Sequence, residues 1–354
     1  MASSPAPPRW RWRRRHAQEL RPLPGVVRLS ANENPYGPSP KALAAAAEAS
    51  ARGAYYPGPI AEELLGVIAE RHGLSLEHMV LSSGSNEALC AATVAWGKQG
   101  RVVVPALTYT PHLRYAEKLG TELVPVALKD DMSTDLEAMA AAVDDSVSLV
   151  YVCNPNNPTG IAIDGDELRA FCRTVGKRAT VLVDEAYNEL TDRPEFTSMV
   201  DLVRAGENVI VMRTFSKIFG LAGLRIGYVM ARPDLATRVA DHVMSWPNGV
   251  GIAAALASYT DEPFITFSRA KILEGRAMVT DVFERHGLRV LPSQTNFVYA
   301  DIRRDATEFA RQMLERGVRI RGAYKPYDTW SRVSMGKLED LEVFGRVFHE
   351  VYTA

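Results

Sequence analysis

Short apolar runs alternate with longer helical stretches between residues 46 and 260, and this alternation leaves few folds open to the chain. The runs are continuous rather than strictly alternating, which is typical of parallel strands covered on both faces. We therefore predict an α/β domain with a doubly wound, mostly parallel sheet flanked by helices. The predicted strands are residues 101–104, 122–127, 147–153, 180–184, 209–213 and 225–230, the last without an assigned direction, and the predicted helices are 87–96, 112–119, 136–143, 166–175 and 198–205.

The carboxyl-terminal part has a different pattern, with strands at 296–300 and 332–335 among helices at 267–286, 306–316 and 338–352. This order predicts a smaller α+β domain, completed by a segment from the amino-terminal end. The expected division is a flexible basic arm at 1–28, a large domain at 46–260, and a small domain made of 29–45 with 261–354.

The chain carries 41 lysines and arginines against 42 aspartates and glutamates, so no net charge attracts it to nucleic acid or to an anionic membrane. Its three cysteines are too few and too scattered for a disulfide framework or a cysteine metal site. No apolar run approaches the length of a membrane span. We expect a soluble cytoplasmic protein with small-molecule partners and no metal, nucleic-acid or membrane ligand.

The arm contains one cluster of charge, WRWRRRH at residues 10–16. An export signal is not supported, because no apolar region follows the arginines. Arginines interleaved with tryptophans could contact nucleic acid. A flexible arm, or one packed on a partner subunit, is the simpler interpretation, and the arm decides nothing about function.

Five polar clusters lie where the predicted sheet would bind a ligand, since ligands of open α/β sheets bind beyond the carboxyl ends of the strands. Four of the clusters closely follow predicted strands, at residues 108–112, 154–160, 184–187 and 214–217. The fifth, residues 82–87, opens a helix with small residues, and its backbone N–H groups and positive dipole end suit an anion.

Together these clusters match what pyridoxal 5'-phosphate requires of a protein. The coenzyme needs a lysine amine for its aldehyde, a carboxylate beside its pyridine nitrogen, an anion cradle and a ring-stacking group. Asp184 ends one predicted strand and Lys217 follows another, and the two residues are one strand–helix–strand unit apart. They can therefore lie side by side above the sheet.

The sequence also resembles the fold-type I pyridoxal-phosphate-dependent aminotransferases, and within them the histidinol-phosphate aminotransferase-like branch, from about Leu29 to the carboxyl end. The motifs that carry the resemblance are NENPYG at 32–37, YPGP at 56–59, NNPTG at 156–160, DEAY at 184–187, SK at 216–217, GLAGLR at 220–225 and RVSMG at 332–336. One such motif would be weak, whereas all of them in this order and spacing are specific.

The resemblance implies a role for each residue that matches the family's motifs. Lys217 would be the Schiff-base residue and the base that moves the substrate proton, and Asp184 would pair with the ring nitrogen. The other expected coenzyme ligands are Asn157 and Tyr187 at the 3'-oxygen, Ser85, Asn86, Ser216 and Arg225 at the phosphate, and Tyr56 from the neighbouring subunit of a homodimer. Arg332 would hold the acidic group of the substrate in a bidentate fork beside Asn157, and Tyr36 and Arg321 are candidates for the distal end of the substrate.

One position departs from the family pattern. His112 stands where the family commonly has a tyrosine that stacks on the coenzyme ring, and a shift of register by three residues would put Tyr109 there instead. The stretch 322–330, before Arg332, is rich in aromatic residues, which favours a substrate with an aromatic or heterocyclic side chain.

We therefore expect an aminotransferase that moves an amino group from an amino acid or amino-alcohol phosphate to a 2-oxo acid. Histidinol phosphate and an aromatic amino acid are the candidate donors. A lyase, cyclase, decarboxylase or oxidase on the same scaffold is the first alternative, because pocket geometry alone can redirect the shared carbanion. A regulatory protein without catalysis is the second, although about 28 residues before the resemblance are too few for a DNA-binding domain.

Overall fold

The computed structural model describes residues 25–354, so the cluster at 10–16 lies outside the described residues. Over these residues the chain forms twelve strands and thirteen helices. The strands are β1 (Val27–Leu29), β2 (Met79–Ser82), β3 (Arg101–Pro105), β4 (Leu123–Val126), β5 (Val147–Cys153), β6 (Thr180–Asp184), β7 (Val209–Thr214), β8 (Gly227–Ala231), β9 (Arg289–Val290), β10 (Phe297–Asp301), β11 (Val318–Ile320) and β12 (Trp330–Ser334).

The helices occupy the connections between the strands and the carboxyl-terminal end of the chain. They are α1 (Pro40–Ser50), α2 (Gly58–His72), α3 (Ser85–Gly97), α4 (Pro111–Lys118), α5 (Leu136–Ala141), α6 (Gly165–Val175), α7 (Pro194–Thr197), α8 (Val200–Arg204), α9 (Pro233–Ala240), α10 (Gly249–Tyr259), α11 (Glu262–Arg285), α12 (Ala306–Glu315) and α13 (Leu338–Thr353). None of these helices is long and apolar enough to cross a membrane.

A seven-stranded sheet in the order β2-β8-β7-β6-β5-β3-β4 forms the centre of the larger part of the structure. The strands from β4 to β7 are parallel, and β8 runs antiparallel to both of its neighbours, which assigns the direction that the sequence left open. The predicted mostly parallel α/β sheet is therefore confirmed.

Burial on both faces explains why the strands are continuous apolar runs. Along β5, Val150 and Val152 pack into one buried cluster, whereas Leu149 and Tyr151 pack into the cluster on the opposite face. Successive side chains of a strand point to opposite faces, so a strand covered on both sides needs an apolar residue at every position.

The carboxyl-terminal part contains an antiparallel sheet, β12-β10-β9, and a two-stranded parallel pair, β1-β11. The expected arm ends too late, because Val27 and Arg28 lie in β1, where the Val27 N–H donates to Gly317 O at 2.8 Å. Strand β1 thus joins the amino-terminal segment to the smaller sheet region. The proposed domain boundary at 45/46 falls within α1, which packs along α10, and the division into domains stays a prediction.

Strands β5, β6 and β7 are adjacent and parallel, so their carboxyl ends meet at one edge of the sheet. Cys153 is paired with Asp184, and Asp184 with Met212, two residues before the end of β7. The polar clusters after these strands are therefore brought together, as expected from the topology.

Candidate active site

A cavity of about 440 Å³ opens at this edge of the sheet. All but three of the residues predicted for the site line it: Ser85, Asn86, Asn157, Asp184, Tyr187, Ser216, Lys217, Arg225, Arg321 and Arg332. The exceptions are Tyr36, Tyr56 and His112. One chain therefore brings together the lysine, the acid, the anion cradle and the substrate arginines that the sequence predicted.

Lys217 projects into the cavity from the turn after β7. Its Nζ donates a hydrogen bond to the backbone carbonyl of Asn32 at 3.1 Å and lies 5.3 Å from the centre of the Tyr187 ring. Burial, assisted by the positive charge of Arg332, lowers the pKa of Lys217 to about 8. A substantial fraction of the amine is therefore neutral near physiological pH, the form that attacks an aldehyde.

Asp184 ends β6 at the base of the cavity and is 3% exposed. Its Oδ1 accepts from the Ala186 N–H at 3.2 Å, and its Oδ2 accepts from the Tyr151 hydroxyl at 3.2 Å. The Cys153 thiol also donates to Oδ2, at 3.9 Å. Burial raises the pKa of Asp184 to about 6, because these hydrogen bonds only partly replace the lost water. No salt bridge stabilises this carboxylate among the described residues, so a cation in the cavity would do so.

Tyr187 receives two amide donors at its hydroxyl oxygen. The Nδ2 groups of Asn32 and Asn157 lie 3.0 Å and 3.3 Å from it. Burial raises the pKa of Tyr187 well above its usual value, so the phenol stays protonated. Its own proton is not used in either contact and can be given to an acceptor in the cavity.

Arg332 is held on β12 with one of its donors unpaired. Its Nη1 donates to Asn157 Oδ1 at 2.7 Å and its Nη2 to the Ser30 carbonyl at 3.0 Å, while the buried Nε has no partner. Arg321 is paired with Arg332 through the backbone, and both guanidinium groups lie against the Tyr324 ring. Two positive charges and an unsatisfied donor thus form one wall of the cavity.

A second cationic group lies at the amino-terminal end of α3. Arg225 adopts a left-handed conformation, with φ 58°, and its Nη1 donates to Ser216 Oγ at 3.3 Å. Ser85 and Asn86 form the first turn of α3, after Gly84 with φ 81°. A side chain at Gly84 would collide with the Arg225 guanidinium, so a glycine lets this cation lie directly on the helix N-terminus.

These observations agree with the requirements of pyridoxal phosphate. The glycine-lined cradle at Arg225 suits a phosphate, the buried Asp184 carboxylate suits a protonated ring nitrogen, and the lowered pKa of Lys217 suits an aldehyde. The unpaired Nε of Arg332 provides for a further anionic group.

The structure corrects the assignment of the stacking residue. His112 is fully buried on α4, does not line the cavity, and contacts Tyr151 edge-on with ring centres 4.5 Å apart. Tyr109 lines the cavity instead, and its hydroxyl donates to Asn86 Oδ1 at 3.3 Å. The cavity is therefore reached three residues earlier in the chain than the sequence register suggested.

The other two predicted residues do not reach the cavity of the same chain. Tyr36 packs edge-on against Phe267, with ring centres 5.6 Å apart, and does not line the cavity. Tyr56 is 93% exposed, and its role toward a neighbouring subunit stays a prediction.

Sequence reasoning missed Asn32, although it belongs to the NENPYG motif. Asn32 is 2% exposed, lines the cavity and contacts both Tyr187 and Lys217. The backbone of Asn32 lies in the left-handed region, with φ 54°. The sequence could indicate this only weakly, through the general preference of asparagine for that region.

Comparison with known proteins shows the same family throughout. The sequence profile described as aminotransferase class I and II matches residues 24–347. The histidinol-phosphate aminotransferase of Brevibacillus brevis is 36% identical over 94% of this chain and 92% of its own length, and that of Moorella thermoacetica is 37% identical over 92% and 85%. The crystal structure of the Sinorhizobium meliloti histidinol-phosphate aminotransferase in complex with pyridoxal-5'-phosphate superposes with a TM-score of 0.83, at 31% identity over 92% of this chain and 91% of that one.

Proposed function

The chain belongs to the aminotransferase class I and II family and is a pyridoxal-phosphate-dependent aminotransferase, and we propose that its amino donor is histidinol phosphate. The observation that carries the proposal is the cationic wall in which Arg321 and the partly unpaired Arg332 flank Tyr324. A phosphate, with several acceptor oxygens, can use both guanidinium groups, and the aromatic ring between them suits an imidazole. The names of the curated relatives support the same donor.

We assign the coenzyme contacts to the residues named from the sequence, with Tyr109 in place of His112. Pyridoxal phosphate supplies an aldehyde for the amine and a ring that accepts electrons from the substrate carbon. Asp184 would hold the proton of the ring nitrogen, and Tyr187 with Asn157 would donate to the 3'-oxygen. The phosphate would lie against Arg225 and the first turn of α3, which fixes the coenzyme from its far end.

Lys217 would be both the covalent anchor of the coenzyme and the proton carrier of the reaction. A pKa near 8 lets its Nζ take a proton from the substrate carbon and release it again at physiological pH. In Lys217→Ala, coenzyme should bind without a covalent link, and turnover should fall by orders of magnitude. Intact-mass measurement after borohydride treatment tests the link directly, and a coenzyme adduct retained by the variant would contradict the assignment.

A donor panel tests the substrate. The loaded enzyme would be assayed with histidinol phosphate, histidinol, phenylalanine and aspartate against 2-oxoglutarate, with kcat/KM as the readout. We expect histidinol phosphate to exceed histidinol by roughly 10²–10³-fold, the size of one or two charge-assisted hydrogen bonds. Equal values for the two would refute the phosphate assignment, and a preference for phenylalanine would favour an aromatic amino acid as donor.

Arginine variants locate the phosphate within the cavity. Arg321→Gln should reduce kcat/KM for histidinol phosphate roughly 10-fold or more and leave that for histidinol nearly unchanged. Arg319→Gln, in the same segment but outside the cavity lining, is the matched control.

Accumulation of pyridoxamine phosphate in a single turnover would distinguish transamination from elimination or decarboxylation.

We also propose a homodimer in which Tyr56 reaches the neighbouring site. Tyr55 and Tyr56 are 82% and 93% exposed. The exposed Trp246 lies next to the same loop, and its ring is 3.7 Å from where a β-carbon on Gly58 would be. Exposed aromatic residues in one group are typical of a protein interface. Tyr56→Phe should weaken coenzyme retention without unfolding the subunit, and sedimentation should give twice the chain mass of 38.9 kDa. The cytoplasmic location stays a prediction.

A further inference from the structure

Asn32 connects three parts of the site that are far apart in the sequence. Its backbone N–H donates to Ser334 Oγ at 2.9 Å, and its Oδ1 accepts from the same hydroxyl at 2.6 Å. Its Nδ2 donates to the Tyr187 hydroxyl at 3.0 Å, and its carbonyl accepts from Lys217 Nζ at 3.1 Å. All four polar groups of this buried residue are therefore used, two of them on residues proposed to hold the coenzyme.

These contacts determine which way the Asn32 side chain is turned. The Ser334 hydroxyl accepts from the Asn32 backbone, so its single proton is available for Oδ1 of the same asparagine. Oδ1 therefore faces Ser334, and Nδ2 is left to face Tyr187. Strand β12 thus sets the orientation of this amide.

The orientation of the Asn157 amide, the second donor to Tyr187, follows from the same kind of reasoning. Arg332 has only donors, so Asn157 must present its Oδ1 to Arg332 and its Nδ2 to Tyr187. The Tyr187 oxygen consequently receives N–H groups from both sides. Its own proton has no acceptor in these contacts and is directed to the cavity.

We propose that Asn32 is a positioning residue that fixes the direction of the Tyr187 hydroxyl proton toward the 3'-oxygen of the coenzyme. The inference deepens the proposed function and rests on the roles given there to Tyr187 and Lys217. The left-handed backbone at Asn32, with φ 54°, contributes to this positioning, because it lets the carbonyl face Lys217 while the side chain contacts Tyr187. Glycine and aspartate can both adopt this conformation, so two informative variants preserve the backbone.

The readout is the pH midpoint at which the visible absorption of the bound coenzyme titrates, measured in loaded enzyme without substrate. Asn32→Gly removes the amide and keeps the carbonyl, which loosens the Tyr187 hydroxyl and weakens its donation. We expect the midpoint to rise by about one pH unit, the size of losing one hydrogen bond to a charged oxygen. Asn32→Asp replaces the donor with an acceptor that attracts the hydroxyl proton, so its midpoint should rise further.

A double-mutant comparison separates this role from a general disturbance of the site. In the Tyr187→Phe background, Asn32→Gly should cause no further rise, because the group that it orients is gone. Asn34→Gly is the matched control: this buried asparagine of the same motif bonds to Ile218 O and Ser268 and does not contact Tyr187, and the variant introduces no charge. Its midpoint should equal that of the unmodified enzyme.

The possible failures are distinguishable. If Asn32→Gly leaves the midpoint unchanged, or shifts it equally with and without the Tyr187 hydroxyl, the inference is overturned; an unchanged or lowered midpoint in Asn32→Asp also overturns it. If the unmodified enzyme gives no coenzyme adduct on Lys217 after borohydride treatment, the proposed roles themselves fail. Thermal unfolding of each loaded variant identifies any that does not fold, and Asn32→Gly is the variant on which the decision rests.

Discussion

Replacing Asp184 by asparagine should stabilise the coenzyme-free protein while destroying its affinity for the coenzyme. The carboxylate is buried without a salt bridge among the described residues, and its pKa rises from 3.8 to about 6 on folding. A carboxyl with a raised folded-state pKa contributes stability that is fully present below the unfolded pKa and is lost as the pH rises through the folded value. A difference of about two pH units corresponds to about 3 kcal/mol.

The side-chain contacts predict that asparagine fits. Its Oδ1 can accept from the Ala186 N–H, and its Nδ2 can donate to the Tyr151 hydroxyl, which then acts as an acceptor. Urea unfolding of coenzyme-free protein between pH 4.5 and 7.5 measures the effect. The free energy of unfolding of Asp184→Asn should exceed that of the unmodified protein at pH 7.5, and the difference should shrink by about 2 kcal/mol on acidification to pH 4.5.

Saturating coenzyme should reverse the order. In the proposed complex the ring nitrogen would supply the cation that the buried carboxylate lacks. Removing one member of a buried ion pair costs about 3–5 kcal/mol, or roughly 10²–10⁴-fold in coenzyme affinity. A pH-independent stability difference between the coenzyme-free proteins would refute the argument that the Asp184 charge is uncompensated. Equal coenzyme affinity would refute its pairing with the ring.

Four other substitutions test neighbouring parts of the structure. Arg332→Lys keeps the charge but loses the guanidinium geometry that bonds Asn157 and Ser30 and leaves Nε free, so kcat/KM for the phosphate donor should fall roughly 100-fold in steady-state assays. An unchanged value would exclude a role for the guanidinium shape in donor binding. His112→Leu removes two buried ring nitrogens that have no partner, so the free energy of unfolding in urea should rise by about 1 kcal/mol and coenzyme affinity should not change. Tyr109→Leu removes a ring that lines the cavity, so it should weaken coenzyme binding in equilibrium titration. Glu185→Gln leaves the buried Arg213 with an incomplete partner, so the free energy of unfolding should fall by about 3 kcal/mol, and a change below about 1 kcal/mol would mean that the pair is not a stabilising one.

Hydrophobic pattern predicted six of the seven strands of the central sheet and missed the edge strand β2, and it predicted fewer of the helices outside the sheet. Strands β5 and β6 were predicted to the residue, because burial on both faces gives an unmistakable continuous run. Helices α1 and α10 were missed: α1 is a run of alanines with little polar contrast, and α10 is apolar nearly all round because it packs between α1 and α2. Periodicity predicts a helix only when one of its faces is polar.

The site could be predicted as far as residue types and strand ends fix it. Lys217, Asp184 and Asn157 follow strands whose order in the sheet is implied by the topology. The position of the ring that faces the coenzyme depends instead on the path of a loop. Only three residues separate Tyr109, which lines the cavity, from His112, which is buried in the core. A contact such as that of Asn32 with Tyr187 joins residues 155 positions apart and depends on a left-handed backbone, which a sequence pattern does not specify.

Asp184 and Glu185 are consecutive buried acids at the end of β6, and they differ in how their negative charges are compensated. The two are consecutive, so their side chains leave the strand end on opposite sides. Glu185, fully buried, receives Arg213 through two nitrogens, the Ser198 hydroxyl and the Met199 N–H, so its charge is compensated by the fold itself. Asp184 receives three neutral donors, from the Ala186 N–H, the Tyr151 hydroxyl and the Cys153 thiol, and no salt bridge among the described residues. Asp184→Asn and Glu185→Gln should therefore change the stability of the coenzyme-free protein in opposite directions, because the fold pairs the Glu185 charge with a cation and leaves the Asp184 charge without a salt bridge.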